Sequence, residues 1–250
     1  MSQSMSNDIM EDLEQGMVRA ASQNSNGDWQ LHPEVKTAIL KKFSEGSIRE
    51  KEGFFDKDTV FPRRFHLQDS VRLVPGGSAV RKGSYVAPGV VIMPPSYINI
   101  GAYVDRESMI DSHVLIGSCA QIGKRVHISA GVQIGGVLEP IGLEPVIVED
   151  DAFIGAGAVI VEGIRVGKSV VIAPSTVLSR SVSIYDMVHK SVLPKGSPVP
   201  ANAVVVPGMR PIESNEWAKD CGLGLACPII VKYRDEKTDA SLEIEGFLRG

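Results

Sequence analysis

From Val80 onward a Val or Ile recurs at every sixth position: Val80, Val86, Ile92, Ile98, Val104, Ile110, Ile116, Ile122, Ile128 and Ile134. The register then breaks, resumes at Val148 and runs through Ile154, Ile160, Val166, Ile172, Leu178 and Ile184. Branched aliphatics make up roughly a quarter of the chain, so ten in a row at one spacing would arise by chance on the order of once in a million. A period of six drifts around a 3.6-residue helix and leaves no apolar stripe, which excludes helix here. Residues two apart on a strand share a face. The residue two before each anchor is small or Val, as at Ser84, Ser96, Ala102, Ser108 and Ala120, and only Ile164 is larger. Each unit therefore turns one large and one small residue inward. Such short strands, joined by tight corners, build a prism whose coils stack in parallel about 4.8 Å apart, a β-helix of hexapeptide repeats. Gly follows the anchor at 117, 123, 135, 155 and 167, where the expectation is that a tight corner uses its freedom in φ.

The flanks have other patterns. In MEDLEQGMVRAAS and in HPEVKTAILKKF, where Val35, Ile39 and Phe43 recur every fourth residue, the spacing is helical. Residues 1–70 read as a small helical domain, 71–190 as the β-helix and 191–250 as a capping domain. Within the β-helix, GGVLEPIGLEPVI (135–147) carries two prolines and three glycines and reads as a loop leaving the prism. After Ile184, AVVVPG and PIIVKYRDEK read as strands and SLEIEGFLR as a short helix, together covering an open end that would otherwise expose its core and strand edge.

Composition narrows the partners. With 26 Lys+Arg against 30 Asp+Glu the net charge is -4, which leaves no electrostatic footprint for nucleic acid or an anionic membrane. No apolar run reaches the roughly 20 residues of a membrane span, and the acidic start lacks the features of a signal peptide, so the expected location is the cytoplasm. Cys119, Cys221 and Cys227 show no CxxC spacing and read as ordinary thiols of a reducing compartment.

Chemistry on a prism belongs to side chains that face outward. Asp105 and Asp111 each follow an anchor and project near a corner, His127 precedes one, and His113 lies in the turn after Ile110. An outward Asp beside a turn is ordinarily a solvated turn-former, whereas an outward His titrates in the range that acid–base work uses. The five histidines include no close ligand pair, so no metal is expected.

The strings MPPSYINIGAYVD, MIDSHVLIGSCAQIGKRVHISAGVQIGGVLEP and VIVEDDAFIGAG, extended by VRLVPGGSAVRKG and PIIVKYRDEKTDA, resemble the tetrahydrodipicolinate N-succinyltransferases, hexapeptide-repeat acyltransferases of lysine and diaminopimelate synthesis. The resemblance covers roughly residues 70 to 240. It implies a left-handed parallel β-helix with three hexapeptides to a coil, hence about six coils, and a homotrimer that binds succinyl-CoA and an amino-diacid between subunits. Carried over by position, the family's catalytic Asp falls on Asp111 and its Arg for a substrate carboxylate on Arg72. A second acidic residue of some members falls on Val159, and an aromatic residue after the catalytic Asp is replaced by His113. Glu162 matches a different family Glu.

Amine attack on a thioester suits these residues, with Asp111 as the base and Arg72 as a fork for a carboxylate. Competing readings are an acetyl-CoA-dependent transferase of the same fold with His127 as base, a metal-dependent hydratase, and a purely structural solenoid. The loop and the two flanks exceed what a scaffold requires.

Overall fold

A computed structural model of the chain describes residues 8–234. The hexapeptide units form three faces of a left-handed parallel β-helix. The first face consists of Arg72–Leu73, Val91–Ile92, Met109–Ile110, His127–Ile128, Phe153–Ile154 and Val171–Ile172. The second consists of Ala79–Val80, Tyr97–Ile98, Leu115–Ile116, Gln133–Ile134, Val159–Ile160 and Val177–Leu178. Tyr85–Val86, Tyr103–Val104, Gln121–Ile122, Ile147–Val148 and Arg165–Val166 make the third. Neighbours on a face come from successive coils. Val86 pairs with Val104 and Val104 with Ile122, while across the 135–147 loop Ile122 pairs with Val148, so the loop leaves the prism and the register closes behind it.

The anchors and the small residues two before them fill one buried core, with Ile92, Ile110, Ile128 and Ile154 wholly covered. Serine serves among the small inward residues because the corners supply partners. Ser108 Oγ donates to the Gly123 carbonyl (2.8 Å) and accepts from the Val126 N–H (3.0 Å), which satisfies a hydroxyl that burial would otherwise penalise.

Two sequence expectations are corrected here. Ile184 has the right spacing and is buried, but it starts no further coil strand: the adjacent Tyr185–Asp186 pairs with Ile229 and Ile230 of the C-terminal strand. The first coil instead opens at Arg72–Leu73, which pairs with Val91–Ile92. The glycines after the anchors, in turn, are not the left-handed residues. Positive φ falls three residues after the anchor, at Gly83, Gly89, Gly101, Glu107, His113 and Cys119 among others. At Gly155 the constraint is space, since an added Cβ would stand 2.6 Å from the Pro174 nitrogen of the next coil. Gly155→Ala is therefore expected to destabilise by about 1–3 kcal/mol through overpacking, measured as a lowered urea midpoint. A change below about 0.5 kcal/mol, the level of an ordinary surface substitution, would contradict the steric reading.

The N-terminal segment is less helical than its spacing suggests. A helix at Ile9–Glu14, capped by the Asp8 carboxylate on the Met10 N–H, ends before Gly16, whose φ is +72°. Ala21–Gln23 then pairs antiparallel with Trp29–Leu31, so the second half of MEDLEQGMVRAAS is not helix. The helix Pro33–Glu45 forms as expected and buries Val35 and Ile39, and a hairpin of Ile48–Lys51 with Phe54–Lys57 follows. Met10, Leu13, Val35 and Ile39 pack with Ile100 and Cys119, which seats the segment on the corner between the second and third faces. Buried Lys36 donates from Nζ to the Leu143 carbonyl and pins the 135–147 loop to that helix.

At the other end Ala203–Pro211 pairs parallel with Val171–Ile172 and antiparallel with Gly224–Tyr233, extending the first face beyond the prism. Buried Asp186 ties this region together, accepting from the Tyr233 hydroxyl (2.6 Å) and from His189 Nδ1 (2.8 Å). Burial alone would raise its pKa, but these hydrogen bonds hold it down to about 2. The expected helix in SLEIEGFLR lies outside the described residues. No helix among the described residues is long and apolar enough to cross a membrane.

Candidate active site

Asp111 stands where the first face turns into the second, immediately after Met109–Ile110. Its main chain is clamped from both sides. The N–H donates to the Ile128 carbonyl of the next coil (2.9 Å), and the carbonyl accepts from buried Ser96 Oγ of the preceding one (2.6 Å). Oδ1 accepts from the Ser112 N–H (2.7 Å), and among the described residues Oδ2 makes no hydrogen bond, so one carboxylate oxygen stays open to a ligand. A half-buried carboxylate on a rigid corner has the geometry of a positioned proton acceptor.

Arg72 and His127 share the first face with Asp111. Cross-coil pairing runs from Arg72 through Val91 and Met109 to His127 and Phe153, which aligns these side chains in one outward column. Arg72 is exposed, without an ion pair or hydrogen bond from its guanidinium among the described residues, and lies two strands, about 10 Å of sheet, from Met109. The His127 ring stacks on Phe153 with centroids 4.9 Å apart and planes 13° from parallel. Burial lowers its pKa below the ordinary imidazole value, and the nearby Asp111 carboxylate offsets this only in part. His127 is therefore neutral at physiological pH.

The other two positions lie on the second face. His113 takes a left-handed φ of +61°, is exposed, and lines a shallow depression with Tyr97, Leu115 and Gln133. Val159 pairs with Gln133 on one side and Val177 on the other, so this face carries no carboxylate at that point. Glu162 is already engaged, accepting from the Arg180 N–H (3.0 Å) through Oε2. Sequence reasoning missed Ser96, which sets the Asp111 main chain, and Phe153, which stacks on His127. Ser96 was visible as a small inward residue. Phe153 reaches His127 only across the 135–147 loop.

Residues 145–179 match the family model described as the hexapeptide repeat of succinyl-transferase. Over 97% of this chain and 87% of the relative, the sequence is 41% identical to the 2,3,4,5-tetrahydropyridine-2,6-dicarboxylate N-succinyltransferase of Legionella pneumophila (strain Corby). The chain belongs to that family of N-succinyltransferases. The same-named protein of Xylella fastidiosa (strain 9a5c) is 40% identical over 98% of this chain and 87% of the relative. A shorter match, 42% identical over 46% of this chain and 39% of the relative, joins it to Protein TabB of Pseudomonas amygdali pv. tabaci.

Proposed function

We propose that the protein transfers a succinyl group from succinyl-CoA to the amine of hydrated, ring-opened tetrahydrodipicolinate, the step this family contributes to lysine and diaminopimelate synthesis. The observation that carries this reading is identity near 40% sustained over almost the whole chain. The cyclic imine takes up water and opens to a 2-amino-6-oxo diacid. Its amine attacks the thioester carbonyl, the new C–N bond forms, the C–S bond breaks, and CoA leaves as a thiolate that takes up a proton. The attacking nitrogen must lose a proton, and Asp111 accepts it through its open Oδ2. Arg72 holds an acceptor carboxylate with a bidentate fork. No covalent acyl-enzyme is required. Positioning of the two substrates carries most of the rate, with corner N–H groups polarising the thioester carbonyl.

The protein works as a homotrimer in the cytoplasm, with the site completed by a neighbouring subunit. Support comes from the distribution of covered surface. The N-terminal segment lies over part of the third face, where Gln121 and Ile147 are buried, and Val171 is buried on the first, whereas Tyr97, Leu115, Met109 and Val159 stay half-buried and Val177 exposed. Large apolar side chains aligned on two adjacent faces suit contact with another subunit. Among the described residues the division follows the same pattern: 8–70 cover, the coils from Arg72 to Leu178 carry the site, and the strands from Tyr185 to Tyr233 cap.

Thiol release with succinyl-CoA and acetyl-CoA side by side, using L-2-aminopimelate as acceptor, tests the reaction. Succinyl-CoA is expected to give at least about tenfold higher kcat/KM. Equal or faster turnover of acetyl-CoA would overturn the donor assignment, and no thiol release with either would overturn the reaction.

A further inference from the structure

A second charged site lies at the other edge of the first face from Asp111, where the third face turns into the first. Arg19, from the N-terminal segment, lies over the Tyr103 ring with its guanidinium carbon 3.5 Å from the centroid. The Trp29 ring is 5.8 Å away, and Arg19 Nε donates to Oε1 of fully buried Gln121 (2.9 Å). Gln121 is itself fixed, donating to the Cys119 carbonyl (2.8 Å). The guanidinium is thus held rigidly by Nε and by its ring contact, while its two Nη groups have no hydrogen-bond partner among the described residues.

Two adjoining cavities, of about 340 and 760 Å³, meet at three shared side chains: Arg19, Asp105 and Lys124. Asp150 lines the smaller one, and Tyr85 and Pro88 line the larger. Asp105 and Asp150 are close enough to favour the charged form of Arg19, yet neither makes an ion pair with it. Each carboxylate spends one oxygen locally, Asp105 Oδ1 on the Arg106 N–H (2.8 Å) and Asp150 Oδ1 on the Lys124 N–H (2.8 Å). Opposite charges therefore face each other across open space, with one free oxygen on each acid, a free fork on Arg19 and a free ammonium on Lys124. Of the other acids lining the two cavities, Glu149 is occupied by Trp29 Nε1 (2.9 Å) and the Lys168 N–H (3.1 Å), and Glu107 lines only the larger one.

A ligand matched to this arrangement carries one carboxylate and one ammonium on neighbouring atoms. We infer that the cavity between Arg19, Lys124, Asp105 and Asp150 binds a free α-amino acid, apart from the acyl-transfer site. The ligand carboxylate meets the Arg19 fork and Lys124, its ammonium meets Asp105 and Asp150, and its side chain extends over Tyr85 and Pro88 in the larger cavity. Such a ligand bridges the N-terminal segment, which holds Arg19 and Trp29, to the β-helix, which holds the acids and Lys124. Its binding stabilises the docking of one on the other.

Calorimetric titration of the whole protein with L-norleucine, hexanoate and n-pentylamine tests this, because the last two are norleucine without its amine and without its carboxylate. Norleucine is expected to bind with a Kd of about 1 mM or tighter, and each half-ligand at least about tenfold more weakly, since a charge-assisted contact is lost in each. Lys124→Gln and Asp105→Asn, both in side chains that make no ion pair, should each weaken norleucine roughly tenfold. Arg72→Ala should leave norleucine binding unchanged. Absence of binding, equal binding of either half-ligand, or loss in Arg72→Ala with retention in Asp105→Asn would each overturn the inference. The last outcome would assign the amino acid to the acyl-transfer site. The inference does not rest on the proposed reaction, so failure of the thiol-release assay leaves it standing.

Discussion

Asp111→Asn is expected to lower kcat by roughly 10²–10⁴-fold, the range for loss of a general base, with the fold retained. The amide keeps the shape and still accepts the Ser112 N–H at Oδ1, so the corner clamped by Ser96 and Ile128 has no reason to move. It cannot take up a proton at the open position. His127→Gln is the paired control. That imidazole lies on the same face and is neutral at working pH because burial depresses its pKa, so it is the competing base. Removing it should cost far less than the asparagine change, largely through the stacking contact with Phe153. Steady-state kinetics on the two variants, with circular dichroism to check the fold, separates the alternatives. A crippled His127→Gln beside a nearly active Asp111→Asn would reverse the assignment.

Arg72→Ala is expected to raise the acceptor KM by roughly tenfold to a few hundredfold and to leave the acyl-CoA KM almost unchanged. The guanidinium is exposed and unpaired among the described residues, so its removal leaves no buried partner unsatisfied and the effect belongs to binding and not to stability. Arg72→Lys retains charge without the planar fork and should recover only part of the loss. Varying each substrate in turn checks this. A rise confined to the acyl-CoA KM would move Arg72 to the donor side.

The repeat determined a stacked β-helix and which residues face inward, because a slip of one residue would reverse every side chain, while the left-handed form came with the family resemblance. It also marked Asp111 and His127 as outward, and the matched strings carried the family. Which of these residues meet was decided by departures from the repeat. Continued back from Val90 at one coil's spacing, the 18-residue period puts Arg72 in an inward position. Pro75, Gly76 and Gly77 add one residue to the first coil, so Arg72 pairs with Val91 and turns outward onto the column that holds His127. The 135–147 loop shifts the register again and brings Phe153 over His127. The glycines after the anchors looked like conformational hinges, yet the next coil crowds them, and that contact exists only once coils stack. The hairpin that carries Trp29 and lies beside Arg19 is too short to show a period of its own. Its place is set by the flanking helices, which pack on Ile100 and Cys119, and by the hydrogen bond from Trp29 to Glu149, contacts that join residues far apart in the chain and leave no local pattern to read.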